Sequence, residues 1–300
     1  MGNTRGVSGA IHCPVMVDEV MELLDVKRDG VYVDGTLGMG GHAEVLLKRL
    51  GADGRVIGVD KDEEALMFAA QRLQDCRVSF VRDDFSRVGD IVKDCGYDTG
   101  VDGILLDLGM SMCQVKDMAR GFSFNSDYRL DMRMDNRAPL TAWEVVNRYK
   151  MEKIEEILKE YGEETRGAKI ARAIVAQRKR RSIDTCRELA SLVEDVYGGR
   201  GRTHPATQTF QALRIYVNGE LAALKGALEG SGAVLRAGGR LCVISYHSLE
   251  DRLVKNFFRQ EKANGHFRVL TVKPITPSAA ESGERNPAAR SAKLRGGQKL

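Results

Sequence analysis

Three hundred residues with 43% apolar and 29% charged side chains fill one large or two ordinary globular domains, and exclude a disordered chain. No stretch approaches the roughly 18 consecutive apolar residues of a membrane span, and the opening MGNTRGVSGA has no apolar signal core; a cytoplasmic protein without a membrane partner is expected. Six scattered cysteines without paired spacing suit a reducing compartment and predict no metal site, and the net charge of +4 is too modest to identify a partner by itself.

In chain order, GVYVD predicts a short strand, followed by a helix over HAEVLLKRL that stops at Gly51. GRVIGVD predicts a second strand, and DEEALMFAAQRL a helix whose first turn carries acids where the helix dipole favours them. RVSFV and DGILLDLG give the third and fourth strands. Such alternation means a parallel sheet with helices on its faces. From Met112 to about His204 only loop and helix patterns follow, with helices near Trp143–Tyr149, Glu152–Tyr161, Thr165–Arg181 and Cys186–Tyr197. A long helix over about Thr207–Leu228 leads into a fifth strand, GGRLCVISY, and HFRVLTVKP reads as the last strand. The expected organisation is a discontinuous α/β domain, residues 1–111 and 206–300, interrupted by a helical substrate-recognition unit at 112–205.

The segment VYVDGTLGMGGHAEVLL carries the chemistry. Gly38, Gly40 and Ala43 match G-x-G-x-x-A between a strand and a helix, a turn shared by dinucleotides, nucleotides and S-adenosylmethionine. Asp60, at the end of the second strand, suits a carboxylate that accepts both ribose hydroxyls. Asp34, at the end of the first strand, separates the ligands. A carboxylate there repels a pyrophosphate but attracts the sulfonium and ammonium of S-adenosylmethionine. Asp83 or Asp84 and Asp107 end two further strands on the same side, where open α/β sheets bind ligands, with Phe85 placed to pack on an adenine. Four acids at successive strand ends predict a pocket for a cation, against the ordinary reading of each as a helix cap.

Basic residues concentrate in the helix around Arg166–Arg181, at Arg200 and Arg202, and in the tail at Arg285, Arg290, Lys293, Arg295 and Lys299. One such run is usually a solvated face; three beside a methyl-donor pocket predict a polyanion such as RNA. The loop RGFSFNSDYRLDMRMD adds aromatics and arginines, including Arg133, that suit an unstacked base or else pack beneath the inserted unit. His204 and His247 do not sit in metal-ligand spacing. Two rival readings are a nicotinamide-linked oxidoreductase, opposed by Asp34, and a non-enzymatic RNA-binding module, which leaves the acids aimed into an empty pocket.

The motifs DGTLGMGGH, GFSFNSDYRLDMRMD, HPATQTFQALRIYVNGEL and SYHSLEDRLVKNFF are long and specific, and the chain resembles nearly end to end the cytosine-N4 methyltransferases of bacterial 16S ribosomal RNA, the RsmH or MraW family. The resemblance implies a class I S-adenosylmethionine-dependent methyltransferase, a Rossmann-like α/β fold with an inserted helical domain, acting on 16S rRNA within the small ribosomal subunit. It implies that Gly40, Gly41, His42, Asp60, Phe85, Asp107 and Gln114 contact the cofactor. Ser111, Arg133, His204, Ser245 and His247 are candidates for the substrate side. Two departures stand out: Met112 and Cys113 replace Ser and Pro of the usual V-S-S-P-Q, and Gln208 replaces an Arg. Many amino-methyltransferases carry Asp/Asn-Pro-Pro-aromatic after the fourth strand; this chain has DLGMS, so the groups that activate the amine are not identified by sequence.

Overall fold

The computed structural model describes residues 14–111, 114–115, 117–199, 203–279, 281–282 and 287–300. Met112, Cys113, Arg200, Arg202 and Arg285 lie outside the described residues. The short apolar runs pair as strands β1 (Val31–Asp34), β2 (Arg55–Asp60), β3 (Val78–Arg82), β4 (Val101–Asp107) and β5 (Leu235–Ser245). Together with β6 (Phe267–Val269) and β7 (Lys293–Lys299) they form one sheet in the order β3-β2-β1-β4-β5-β7-β6. The first five run parallel, with Tyr32 level with Val56 on one side and Gly103 on the other. β7 is antiparallel to both neighbours. β1 and β4 are buried almost throughout because helices cover both faces, as parallel strands require.

One face packs Val33, Ile57, Ile104, Leu106 and Val243 beneath helices that include α4 (Val88–Asp94) and α10 (Glu220–Val234). The other packs Tyr32, Val56, Leu105 and Ile244 beneath α1 (Val17–Leu24), α2 (Gly41–Arg49) and α3 (Glu63–Leu73). The chain runs β1-β2-β3 outward to one edge and returns to the other side of β1 with β4. The strand order therefore reverses between β1 and β4, where the carboxyl ends leave a crevice.

Helices α5 (Ala142–Arg148), α6 (Met151–Gly162), α7 (Gly167–Arg178), α8 (Cys186–Tyr197) and α9 (Thr207–Asn218) enclose a separate apolar core. Thr141 and Thr185 start α5 and α8 with capping boxes closed by Glu144 and Glu188. The buried set of this core includes Phe210, Ala212, Leu213 and Val217 of α9, a helix expected to begin the returning part of the sheet domain.

The structure departs from expectation at the C-terminal half. The long helix over Thr207–Leu228 is two helices, α9 and α10, broken at Gly219, whose φ of +61° suits a left-handed helix terminus. HFRVLTVKP supplies only the short β6, and Val272 is 90% exposed. The last strand is β7, read from sequence as a basic tail. Its hidden signal is Gly296–Gly297: a Cβ at Gly296 would meet Leu23 of α1 at 2.6 Å, and one at Gly297 would meet Phe258 at 2.5 Å. Only glycine lets helices press this closely on both faces of an inserted strand. Phe258 belongs to α11 (Ser248–Ala263), which joins β5 to β6.

Candidate active site

A cavity of about 340 Å³ opens at the carboxyl ends of β1, β2 and β4, within the range of small-molecule sites. Its wall begins with the glycine turn. Gly38 donates its N–H to Asp60 Oδ2 at 2.9 Å, and Asp62 donates its own to Asp60 Oδ1 at 2.9 Å, so one carboxylate spans the turn and the end of β2. Gly40 is left-handed, with φ +77°, and stands over Leu73 and Ala69 of α3; a Cβ there would lie 3.1 Å from Leu73 Cδ1. The residue thus permits both the turn and the approach of α2 to α3. Gly40 is the N-cap of α2 and brings no side-chain hydrogen bond to its first turn, and Gly41 and His42 enter the cavity wall.

The strand-end acids divide into three groups. Asp60 and Asp107 line the cavity. Asp34 is 1% exposed and lies outside that wall, accepting from the Thr36 N–H at 3.3 Å. Burial pushes the Asp34 carboxyl up to about 6, against the attraction of His42 and the Thr36 amide. Burial likewise pushes Asp60 up to about 6, against its two amide hydrogen bonds. Asp83 and Asp84 are engaged elsewhere, which corrects their expected part in the pocket. Asp83 accepts from Arg87 and the Asp84 N–H. Asp84 accepts from the Ser86 N–H at the start of a 3-10 turn and meets Lys61 Nζ at 3.4 Å.

Of the residues expected to contact a cofactor, Gly41, His42, Asp60, Phe85, Asp107 and Gln114 share this one wall, with Gly40 directly behind it. Gln114 is 4% exposed; its Nε2 donates to Asp62 Oδ2 at 2.9 Å and its Oε1 accepts from the Ser111 N–H at 3.1 Å. Asp107 Oδ1 accepts from the Tyr246 hydroxyl at 2.8 Å, while Oδ2 lies 3.4 Å from His42 Nε2.

The residues assigned to the substrate side are mostly spent on structure. Ser111 lines the cavity. Arg133 does not; it grips Asp131 through two nitrogens at 2.8 Å and donates to the Asn136 and Ala138 carbonyls. His204 stacks on Phe124 at 4.5 Å, places Nε2 2.8 Å from Glu194 and accepts the Ala206 N–H at Nδ1. Ser245 is buried and donates to the Lys293 carbonyl, joining β5 to β7. His247 is the N-cap of α11 and accepts from the Glu250 N–H. The loop's Phe122 and Phe124 pack in or against the helical core, which leaves Tyr128, 59% exposed, as its presented aromatic.

The basic runs also divide. Arg178 donates to the Val146 and Tyr149 carbonyls at the end of α5, and Arg166 lies over the Tyr197 ring at 4.3 Å. Arg295 is buried against Asp251, and Lys293 pairs with the same carboxylate. Lys169, Arg172, Lys179, Arg180 and Arg181 are exposed, on or just beyond α7. Beside them Arg129 and Arg148 lie 5.0 and 5.3 Å from the Trp143 ring.

Tyr246, Arg214 and Met134 are cavity residues that sequence reasoning missed. Tyr246 follows directly on the apolar run of β5, the one local signal for it. Arg214 comes from α9 and clasps Glu220 with two hydrogen bonds of 2.9 and 2.8 Å. Glu220, His247 and Glu250 bring ligand-type atoms within 4.8 Å of one another, but both Glu220 oxygens face Arg214 and Glu250 accepts from the Tyr246 and His247 amides. Its charges are paired within the chain, Glu220 with Arg214 of α9 and Glu250 with His247 at the start of α11.

Residues 9–300 match the family described as the MraW methylase family. The chain is 43% identical over 306 residues to the ribosomal RNA small subunit methyltransferase H of Caldicellulosiruptor saccharolyticus, covering 96% of this chain and 99% of that protein. It is 45% identical to the protein of the same name from Carboxydothermus hydrogenoformans, covering 96% and 98%. The Coxiella burnetii protein of that name is 44% identical over 304 residues, covering 96% and 99%.

Proposed function

The chain belongs to the MraW methylase family, and from that premise we propose that it transfers the methyl group of S-adenosylmethionine to the N4 amine of a cytosine in 16S rRNA of the small ribosomal subunit. The observation that supports this most is the joint placement of Asp60, Asp107, His42 and the glycine turn around one cavity at the strand-order reversal. The residues fit the donor. The Asp60 carboxylate suits the ribose hydroxyls, Phe85 offers an apolar face to the adenine, and the uncapped first turn of α2 suits a carboxylate. The acids of the wall and floor suit a positive sulfur.

When bound, the donor supplies an electrophilic methyl carbon. The protein's part is to hold the two reactants in line and exclude water, an effect worth up to about 7–11 kcal/mol in favourable cases. The target amine is a weak nucleophile because its lone pair is conjugated with the ring, so an acceptor for its N–H favours the pyramidal form that attacks. The base must be unpaired or flipped to reach the cavity.

The recognition unit, in this reading, runs from about residue 112 through Asn218, past the boundary at 205 expected from sequence, because α9 completes its core. Its exposed cations on α7 and its arginine-flanked Trp143 would meet phosphates and unstacked bases. No helix among the described residues is long and apolar enough to cross a membrane. The ribosomal RNA substrate of this reading would put the reaction in the cytoplasm, with the ribosome. The test is incubation of small subunits lacking the modification, and of free 16S rRNA, with methyl-labelled donor. Label in the subunit RNA supports the reading, and its absence from both substrates contradicts it.

A further inference from the structure

Methylation of an exocyclic amine leaves a surplus proton on nitrogen, and the cavity wall contains a buried imidazole beside the Asp107 carboxylate. His42 is 5% exposed, and neither ring nitrogen has a hydrogen-bond partner of ordinary geometry among the described residues. A buried polar group is nearly always paired, so a ring whose one near partner is Asp107 Oδ2, 3.4 Å from Nε2, calls for a functional account. The groups facing the ring are acids: Asp107 at the end of β4, Asp34 at the end of β1, and Glu281 from the C-terminal segment. The cations of the same wall are paired elsewhere, Lys61 with Asp84, Arg72 with Glu44 and Arg214 with Glu220. Burial opposes a charge on His42, but Asp107 and Asp34 outweigh it and raise the imidazole above its ordinary value.

Asp107 is itself held in place. Tyr246 donates to Oδ1, which leaves Oδ2 toward His42. The Tyr246 ring stands against Gly109, where φ is +129° and a Cβ would lie 3.2 Å from the ring. That close approach fixes where the hydroxyl can reach.

We propose that His42 gives up a proton when the sulfonium binds and takes one back from the target amine, with Asp107 accepting the amine N–H and Tyr246 positioning Asp107. The inference rests on the methyltransferase reading. In the transfer the N4–carbon bond forms as the carbon–sulfur bond breaks, and sulfur keeps the electron pair. The amine proton passes to His42 Nε2. One positive charge leaves the sulfur as one appears on the imidazole, so the acids of the site remain balanced throughout.

The full chain is titrated calorimetrically with S-adenosylmethionine and with S-adenosylhomocysteine, near pH 7, in buffers of different ionisation enthalpy. The charged donor is expected to release up to about one proton per chain more than the uncharged product, and His42→Gln to abolish that difference while still binding. Equal proton counts for the two ligands overturn the proposal, and the wild-type comparison needs no variant. Failure of both ligands to bind would instead count against the methyltransferase reading. Tyr246→Phe is expected to lower kcat about 10- to 100-fold, leave the KM for the donor nearly unchanged, and displace the acid limb of the pH–rate profile. An unchanged profile with full kcat overturns its positioning role.

Discussion

Arg120 of the inserted segment and Asp62 at the start of α3 form a two-point ion pair, with Nη2 2.9 Å from Oδ2 and Nη1 3.4 Å from Oδ1. Asp62 is 3% exposed and also accepts from Gln114 and the Glu64 N–H. The same Nη2 donates to the Arg133 and Met134 carbonyls, and Met134 lines the cavity. One guanidinium thereby ties the loop over the cavity to the end of β2. Arg120→Ala should cost about 3 kcal/mol, the scale for stranding one partner of a buried pair. Urea unfolding measures it; a loss below about 1 kcal/mol would mean that Asp62 is satisfied without Arg120.

Asp60 sets a pH dependence for the donor. Its carboxyl titrates near 6 in the ligand-free protein, and only the ionised form accepts both ribose hydroxyls. Affinity for S-adenosylmethionine should therefore fall as the pH drops through about 6, by at most about tenfold per unit from this one group. Asp60→Ala should weaken binding by roughly 1.5–3 kcal/mol, the range for leaving polar ligand groups unpaired. Calorimetry showing unchanged affinity in the variant would remove Asp60 from the ribose site.

Asp34 has a cost in the empty protein. Its folded-state value near 6 lies above the ordinary 3.8, so the folded state holds the proton more tightly than the unfolded chain. The stability from this group is complete below about 4 and is lost as the pH rises through about 6. A shift of about two units corresponds to roughly 3 kcal/mol at full ionisation. Asp34→Asn should accordingly make the ligand-free protein more stable at pH 8, with the gain shrinking toward pH 4, while weakening the donor. Identical unfolding midpoints at pH 8 would contradict this.

The basic surface separates into binding and structural cations. Lys169→Glu with Lys179→Glu and Arg180→Glu should weaken RNA binding and lower its salt slope by about 0.7 per lost phosphate contact, with donor binding untouched. An unchanged salt slope would return these residues to an ordinary solvated face. Arg178→Glu is a different experiment: it removes the partner of two carbonyls at the end of α5 and should destabilise the helical unit.

Strands β1 to β5 and the cofactor turn are legible because their signals are local: short apolar runs, three of which (β1, β2 and β4) end in aspartate, and glycines at fixed spacing before an amphipathic helix. β7 is not legible, since KLRGGQK is polar in composition and its two glycines acquire meaning only when α1 and α11 close on them. Tyr246 lies 139 residues from Asp107, and Arg120 lies 58 from Asp62. No window of sequence carries such pairings. His204 and Ser245 look chemical in sequence but are consumed by stacking and by a strand-to-strand bond. The residue type names a capability, and the neighbours decide whether it is free.

The central claim concerns one atom, and nucleoside analysis of the labelled RNA tests it most directly. After reaction of unmodified small subunits with labelled donor, digestion and mass spectrometry should find the label in N4-methylcytidine. Cys113→Ala should retain most of that product, because amine methylation needs no covalent enzyme–base intermediate. Label in 5-methylcytidine, together with an adduct trapped on 5-fluorocytosine RNA and lost in Cys113→Ala, would contradict both the target atom and the mechanism.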